Sequence, residues 1–403
     1  VKILFVHQNF PAQFKHLAPA LAARGHDVVA LTADSNKQQS QIRTYRYPMP
    51  DPAPKSGQAR LATTYMAMTD RAHRVGRAAA QLRDKLGFVP DVIFGHSGWG
   101  ETLFLKEIFP QARLLVYAEF YYGTKGLDVG FDPEFSSADP FSGFGVIARQ
   151  SHLALSMVQA DAALSPTEWQ ADTFPPELRS KITITHDGVD TDALVPNPAA
   201  QFTLPNGRAL RAGDEVLTYV TRNVEPYRGS HIFIRALPQI LAARPGAQVV
   251  IIGGDGVSYG MAPPQGTWKE RFLSEIAGAP GLERVHFLGR LPYRDYVTLM
   301  QISRAHAYLT IPFVLSWSLL ESMAMGAHVI ASRTAPVEEV VVDGVNGQLV
   351  DFFDVDAWSE ALIVALANPA GFAARRAAAR KTIVENYDLK RLCLPRLIRF
   401  TEG

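Results

Sequence analysis

The chain has 403 residues, 47% of them hydrophobic and 20% charged, with a formal net charge of +1. That length suits two domains of comparable size better than one core, and the near-neutral balance removes any global electrostatic reason to bind nucleic acid or a membrane. The single cysteine, Cys393, excludes an intrachain disulfide framework and fits a reducing compartment.

The N-terminal run Val1–Val6 is too short for a signal-peptide core or a membrane span and reads as a buried strand. No later apolar run reaches spanning length, so the expected location is the cytoplasm, with peripheral contact at an inner membrane as a variant of it. Phe14, Leu17, Ala18, Leu21 and Ala22 follow at helical spacing, Gly25 stops that helix, and Asp27–Leu31 is the next strand. This is one βαβ unit, which implies a parallel sheet. Proline-rich residues 48–57 read as a loop, and 61–86 as a long helix. Strands are expected at Val92–Phe94, Leu114–Tyr117, Ala162–Leu164 and Ile182–Thr185. Residues 187–210, with Pro196, Pro198, Pro205 and Gly207, read as a linker. A second series of strands follows at Val216–Thr221, Gln248–Gly253, Val285–Leu288, Ala307–Thr310 and His328–Ala331. Its helices are expected near 230–243, 267–277, 293–303, 318–325 and 356–367. The expected division is 1–195, 205–375 and a helical tail at 376–403 that packs back on the first domain. The fold class is α/β, two Rossmann-like domains whose parallel sheets face each other across a cleft. In open parallel sheets ligands bind at the carboxyl ends of the strands, and clefts between domains are common small-molecule sites.

Three segments carry chemistry. In Thr221-Arg222-Asn223-Val224-Glu225-Pro226-Tyr227-Arg228-Gly229, two arginines lie six positions apart in a loop that leaves a strand and opens a helix. A diphosphate calls for this combination of guanidinium donors and a helix N-terminus; two solvated surface arginines are the plainer alternative. In Pro312–Ala324, serines suited to capping precede an apolar helix ended by Gly326. The N–H groups of Leu315, Ser316, Trp317 and Ser318 are candidates to face a phosphate or sugar, and the Glu321 carboxylate to accept from both hydroxyls of a ribose. A glutamate stabilised by the helix dipole is the common alternative. In Val250–Gly256, Gly253 and Gly254 follow a buried strand and permit close backbone approach to a ligand. The spacing is not the dinucleotide fingerprint, because Ser258 and Tyr259 stand where its last glycine falls.

Together these segments resemble the retaining family-4 glycosyltransferases of the GT-B fold, through nearly the whole C-terminal half. Arg222 and Arg228 match that family's arginine-plus-lysine pair on the donor diphosphate. Gly253-Gly254-Asp255-Gly256 matches its glycine-rich turn, and Phe287-Leu288-Gly289-Arg290 the segment whose following backbone, at Leu291, frames the base. Asp187-Gly188-Val189-Asp190, Glu339 and Asp343-Gly344-Val345-Asn346-Gly347 resemble further family segments, and Glu321 matches the second glutamate of its paired-glutamate motif, which grips ribose. Arg24-Gly25-His26-Asp27-Val28 is similar to its first helix-to-strand turn. The first glutamate of the pair falls on Phe313, which points to a different sugar contact. Gln8-Asn9-Phe10-Pro11-Ala12-Gln13 replaces the glycine-rich loop after the first strand, with Asn9 and Gln13 as side-chain donors instead. Glu119 stands by position where the family carries an N-domain histidine.

Asp190-Thr191-Asp192 and Asp354-Val355-Asp356 read as a turn and a helix cap rather than metal ligands, so no metal is expected. His7 and His96 follow strands of the first domain and read as cleft-lining or structural. The basic residues of 37–85, among them Lys37, Arg43, Arg46, Lys55, Arg60, Arg71, Arg74, Arg77, Arg83 and Lys85, read as a solvated face, with recruitment of anionic lipid as the alternative. The resemblance implies transfer of a sugar, with retention, from a nucleoside-diphosphate sugar, UDP- or GDP-linked, to a glycan, lipid-linked or small-molecule acceptor, in a setting such as bacterial polysaccharide synthesis. No other cofactor and no nucleic-acid partner is implied. Arg222, Arg228 and Glu119 would serve the reaction. The alternatives are a nucleotide-sugar epimerase or glycan phosphorylase on the same fold, and a non-catalytic two-lobed binding protein.

Overall fold

The computed structural model describes residues 1–49, 60–137 and 139–403. The loop expected at 48–57 lies outside them from residue 50 onward. The chain forms two compact units, one of Val1–Gly188 with Leu389–Gly403 and the other of Val189–Asp388.

The first unit holds β1 (Lys2–Val6), β2 (Asp27–Ala33), β3 (Arg43–Tyr47), β4 (Val92–His96), β5 (Arg113–Tyr117), β6 (Ala162–Ser165) and β7 (Ile182–Ile184). They form one sheet of order β3-β2-β1-β4-β5-β6-β7, parallel throughout. Alternating residues of each strand point to opposite faces, and both faces are covered. Leu4, Val6, Val29 and Leu31 pack with Val75, Ala79 and Leu82 of the helix Thr63–Leu86 and with Leu153 and Met157 of the helix Ser142–Gln159. Ile3, Phe5, Val28 and Ala30 pack with Leu17 and Leu21 of the helix Leu17–Ala23 and with Leu397 of the last helix, Leu394–Glu402. Burial on both faces explains why β1 and β2 read as continuous apolar runs.

That last helix is tied down by polar contacts as well. Glu402 takes Arg24 at 2.8 Å and His26 at 3.0 Å, and Arg113 donates to the carbonyls of Phe400 and Thr401 at 3.0 and 3.3 Å. The Phe94 and Phe400 rings lie 5.8 Å apart.

The second unit opens with an antiparallel pair, β8 (Gln201–Thr203) and β9 (Ala209–Arg211), inside the stretch expected to be a linker. Leu204 and Leu210 are buried in this unit's core and Phe202 packs against it, so the pair is part of the unit. Then come β10 (Val216–Asn223), β11 (Gln248–Gly254), β12 (Val285–Phe287), β13 (Ala305–Tyr308), β14 (His328–Ser332) and β15 (Gln348–Val350). Their order is β12-β11-β10-β13-β14-β15, again all parallel. This is the doubly wound arrangement, with the strand order reversing between β10 and β13. The observed helices Ser230–Ala243, Trp268–Glu275, Tyr293–Ile302, Trp317–Ala324 and Val355–Ala367 fall within about two residues of their expected bounds.

Candidate functional site

The order of the second sheet directs attention to the carboxyl ends of β10 and β13, where neighbouring connections leave in opposite directions and open a crevice. Arg222 and Asn223 end β10, past a register shift between Val220 and Asn223. A short turn of 3₁₀ helix, Pro226–Arg228, follows, and Gly229 (φ 65°) leads into the helix Ser230–Ala243. An added Cβ on Gly229 would lie 2.6 Å from the Cβ of Leu309, so only glycine fits there.

Arg228 is 7% exposed and spans the crevice, its Nη1 donating to Thr310 Oγ1 at 2.7 Å and to the Val314 carbonyl at 3.0 Å. It makes no ion pair among the described residues. Its guanidinium instead lies 5.8 Å from the ring centres of both Tyr259 and Phe313. Phe313 is buried, edge-on to Tyr227 at 5.6 Å and to Tyr259 at 4.9 Å. Arg222 is exposed and has no side-chain partner among the described residues. The two arginines therefore differ, one built into the crevice and the other free at its lip.

Glu225, between them, is fully buried, and its Oε2 accepts from the backbone N–H groups of Ser258 and Tyr259, both at 3.0 Å. Burial, the largest influence, raises its pKa. This carboxylate pins the loop after β11 beside Arg228, a role the sequence did not reveal. The glycines of that loop are spent partly on the protein itself. A Cβ on Gly253 would meet Thr221 at 2.8–2.9 Å, and one on Gly254 would meet Asn223 Oδ1 at 2.6 Å.

Helix Trp317–Ala324 begins at Ser316, whose Oγ caps the Ser318 N–H at 3.4 Å. The Ser316 N–H donates to Tyr308 Oη at 2.8 Å. The N–H groups of Ser316 and Ser318, among those offered to a ligand at 315–318, are thus already engaged. Glu321 is the fifth residue of this helix, a turn deeper than a dipole-stabilised glutamate needs to be, and is 8% exposed. Its two oxygens accept from Tyr293 Oη at 2.7 Å and Tyr296 Oη at 2.8 Å. Leu291 is half-buried just before these tyrosines.

In the first unit the order reverses between β1 and β4, and the residues at their ends are His7 and His96. Both are buried, with ring centres 5.6 Å apart. His7 accepts from the Asn9 N–H at 3.0 Å and His96 from the Gly98 N–H at 2.9 Å, each through Nδ1. Burial, then His96 and Arg71, hold His7 well below its ordinary pKa. Glu119, past β5, is about one-third exposed; its Oε2 lies 3.5 Å from His96 Nε2, and its Oε1 accepts from Gln13 Nε2 at 3.4 Å. The structure thus brings Gln13, Glu119 and His96 together, and leaves Asn9 exposed.

Asp354 caps a helix by accepting the Ala357 N–H at 2.9 Å, and Asp190 accepts the N–H groups of Asp192 and Ala193. No group of acidic, histidine or cysteine side chains suited to a metal occurs among the described residues. Asp343 holds its turn through the Leu349 N–H and Arg333. Much of the basic set of 37–85 is internally paired: Arg43 with Asp27, Arg74 with Asp70, Arg83 with Asp84, Arg46 on three carbonyls, and Arg71 on the Trp99 carbonyl. Among the described residues no helix is long and apolar enough to cross a membrane.

Two doubly wound parallel sheets, each with polar residues gathered where its strand order reverses, define an α/β protein of two Rossmann-like units. A family model for the glycosyl transferase family 4 group matches residues 24–194, and one for glycosyl transferases group 1 matches residues 202–383. The chain belongs to the family-4 glycosyltransferases, with the GT-B fold. A D-inositol 3-phosphate glycosyltransferase of Mycobacterium ulcerans is 31% identical over 196 residues, 48% of this chain and 39% of that protein. This chain therefore spans well under half the length of that relative. A glycogen synthase of Mycobacterium tuberculosis is 26% identical over 96% of this chain and 91% of its own. In fold, the chain is similar to sucrose-phosphate synthase from Thermosynechococcus elongatus, with a TM-score of 0.70 and 18% identity over 100% of this chain and 98% of that one. It is likewise similar to Anabaena HepE in complex with UDP and glucose, with a TM-score of 0.67 and 15% identity over 99% and 97% of the two chains.

Proposed function

We propose that the protein transfers a sugar from a nucleoside-diphosphate sugar to an acceptor hydroxyl, with retention at the anomeric carbon. The observation that carries this reading is Arg228, a buried guanidinium at the reversal point of the second sheet that makes no ion pair among the described residues. A cation held there, with exposed Arg222 beside it, is preorganised for the charge that develops on a departing diphosphate. Glu321 accepts from the nucleotide's ribose, Leu291 lies along the base, and the residues from Leu315 to Ser318 with Gly253 and Gly254 border the phosphates. The aromatic group of Tyr227, Tyr259 and Phe313, next to Arg228, borders the transferred sugar. The leaving phosphate takes the proton of the acceptor hydroxyl, so no strong protein base is needed. The first unit receives the acceptor, a glycan, lipid-linked or small molecule, near Glu119, Gln13 and His96. The similar fold of a protein bound to UDP and glucose supports a UDP-sugar as donor, with a GDP-sugar as the alternative, used in glycoconjugate synthesis. Any contact with anionic lipid falls to exposed residues such as Lys37, Arg77 and Lys85.

Arg222→Ala is the cleanest test, because this exposed side chain has no side-chain partner among the described residues. Turnover of UDP- or GDP-sugar should fall by roughly 10²–10³-fold with an unchanged melting temperature. Unaltered turnover would remove Arg222 from the donor site.

A further inference from the structure

The Glu321 carboxylate is buried, faces no cation among the described residues, and holds a tyrosine hydroxyl on each oxygen. Its two tyrosines are unlike. Tyr296 is 8% exposed and belongs to the core of the second unit, where it packs among residues such as Leu299, Leu319 and Met323. Tyr293 is 54% exposed. It is the first residue of its helix, directly after Pro292 and the turn at Gly289 (φ 63°), so its side chain can leave without disturbing the core. An ionised carboxylate oxygen buried without a donor is costly. Tyr293 supplies that donor from outside the core.

We propose that Tyr293 is a displaceable stand-in for a ligand hydroxyl on Glu321, while Tyr296 is a fixed positioning residue that holds the carboxylate in its binding orientation. The proposal rests on Glu321 being the ribose acceptor. On nucleotide binding, one hydroxyl of the ribose diol replaces the Tyr293 hydroxyl on Oε1 and the Tyr293 side chain turns out toward solvent. Oε2 keeps Tyr296 and has a second lone pair for the other hydroxyl. The arrangement keeps the carboxylate paired in both states. It lowers affinity by the strength of one charge-assisted hydrogen bond, since that bond must break before the nucleotide's can form. Both tyrosines remain protonated donors, because burial and the adjacent carboxylate raise their pKa values above the ordinary 10.

The two roles give opposite signs. Calorimetric titration with UDP, GDP and ADP on the whole chain should show Tyr293→Phe binding its nucleotide roughly ten- to a hundredfold more tightly than the unaltered protein. Tyr296→Phe should bind it roughly tenfold or more weakly. Each variant leaves one oxygen of Glu321 without its donor, so a melting curve checks the fold of both. Weaker or unchanged binding by Tyr293→Phe overturns the stand-in role. Glu321→Ala separates the two levels: binding as tight as the unaltered protein's would mean Glu321 is not the ribose acceptor. Loss of binding in Glu321→Ala together with weaker binding in Tyr293→Phe would leave that reading standing and overturn only this one.

Discussion

Arg228 and Glu225 sit three positions apart, and both are buried at one reversal point, yet they do different work. The arginine spans two strand ends, whereas the glutamate holds a loop through two backbone N–H groups. Gly229 is what lets this stretch turn so tightly. Gly229→Ala forces a Cβ into Leu309 at a positive φ, and should lower stability by about 2–4 kcal/mol, read by denaturant unfolding. Histidine protonation supplies a second prediction at this scale. Burial depresses the pKa values of His186, His306 and His328 to about 4, and those of His7 and His152 are lowered too. A depressed group stabilises the fold above its unfolded value and loses that contribution as pH falls, here from about 6.5 toward 4. Glu101, fully buried and pushed up to about 7, acts the other way, favouring the fold below about 4.5 and losing that effect by about 7. His286 is lowered as well and Glu225 is raised, so six histidines stand against two carboxyls, and the melting temperature should drop on going from pH 7 to pH 5.

Among the elements, most strands that the sequence shows plainly are buried on both faces; the partly buried edge strands β7 and β12 are the exceptions. β3 escapes notice because it is the edge of its sheet, and its Arg43-Thr44-Tyr45-Arg46-Tyr47 mixes charge with aromatics, as edge strands that resist further pairing do. β15 and the pair β8–β9 have three residues each, too few for any periodicity. The helix Leu394–Glu402 is legible as a helix, but its docking face is settled by Leu397, Phe400 and Glu402 meeting Phe94, Arg24 and His26. Removing residues 394–403 uncovers one face of the first sheet and should lower the stability of that unit by several kcal/mol, on the order of 25 cal/mol per Å² exposed. Hydrogen exchange on the truncated chain should show the loss in β1, β4 and the helix Leu17–Ala23. At the start of the helix Trp317–Ala324, Ser316→Ala removes the cap and should cost about 0.5–2 kcal/mol, measured by thermal unfolding.

For the molecule as a whole, each unit has its own sheet and its own core, and the chain returns to the first unit after Asp388. A nucleotide bound by the second unit stabilises only what binds it. At a hundredfold excess over Kd the gain is about 2.7 kcal/mol. Hydrogen exchange with saturating nucleotide should slow in the segments after β10 and β13 and in the helix Trp317–Ala324, with the first unit's core exchanging as before. Slowing confined to the first unit would move the donor site there.

Local pattern was enough for the parallel α/β class and the two series of strands, because apolar runs, helical spacing and turn glycines are written in contiguous residues; it also named the arginine pair and Glu321 as candidates. It did not reveal which partners those residues keep. Tyr293 and Tyr296 reach Glu321 across 28 and 25 positions, Thr310 reaches Arg228 across 82, and Gln13 reaches Glu119 across 106. Such contacts follow from strand order and from which helix packs on which face. Strand order is a property of the folded sheet, where β1 lies beside β4 and β10 beside β13, and only there do residues distant in the chain come within hydrogen-bonding reach.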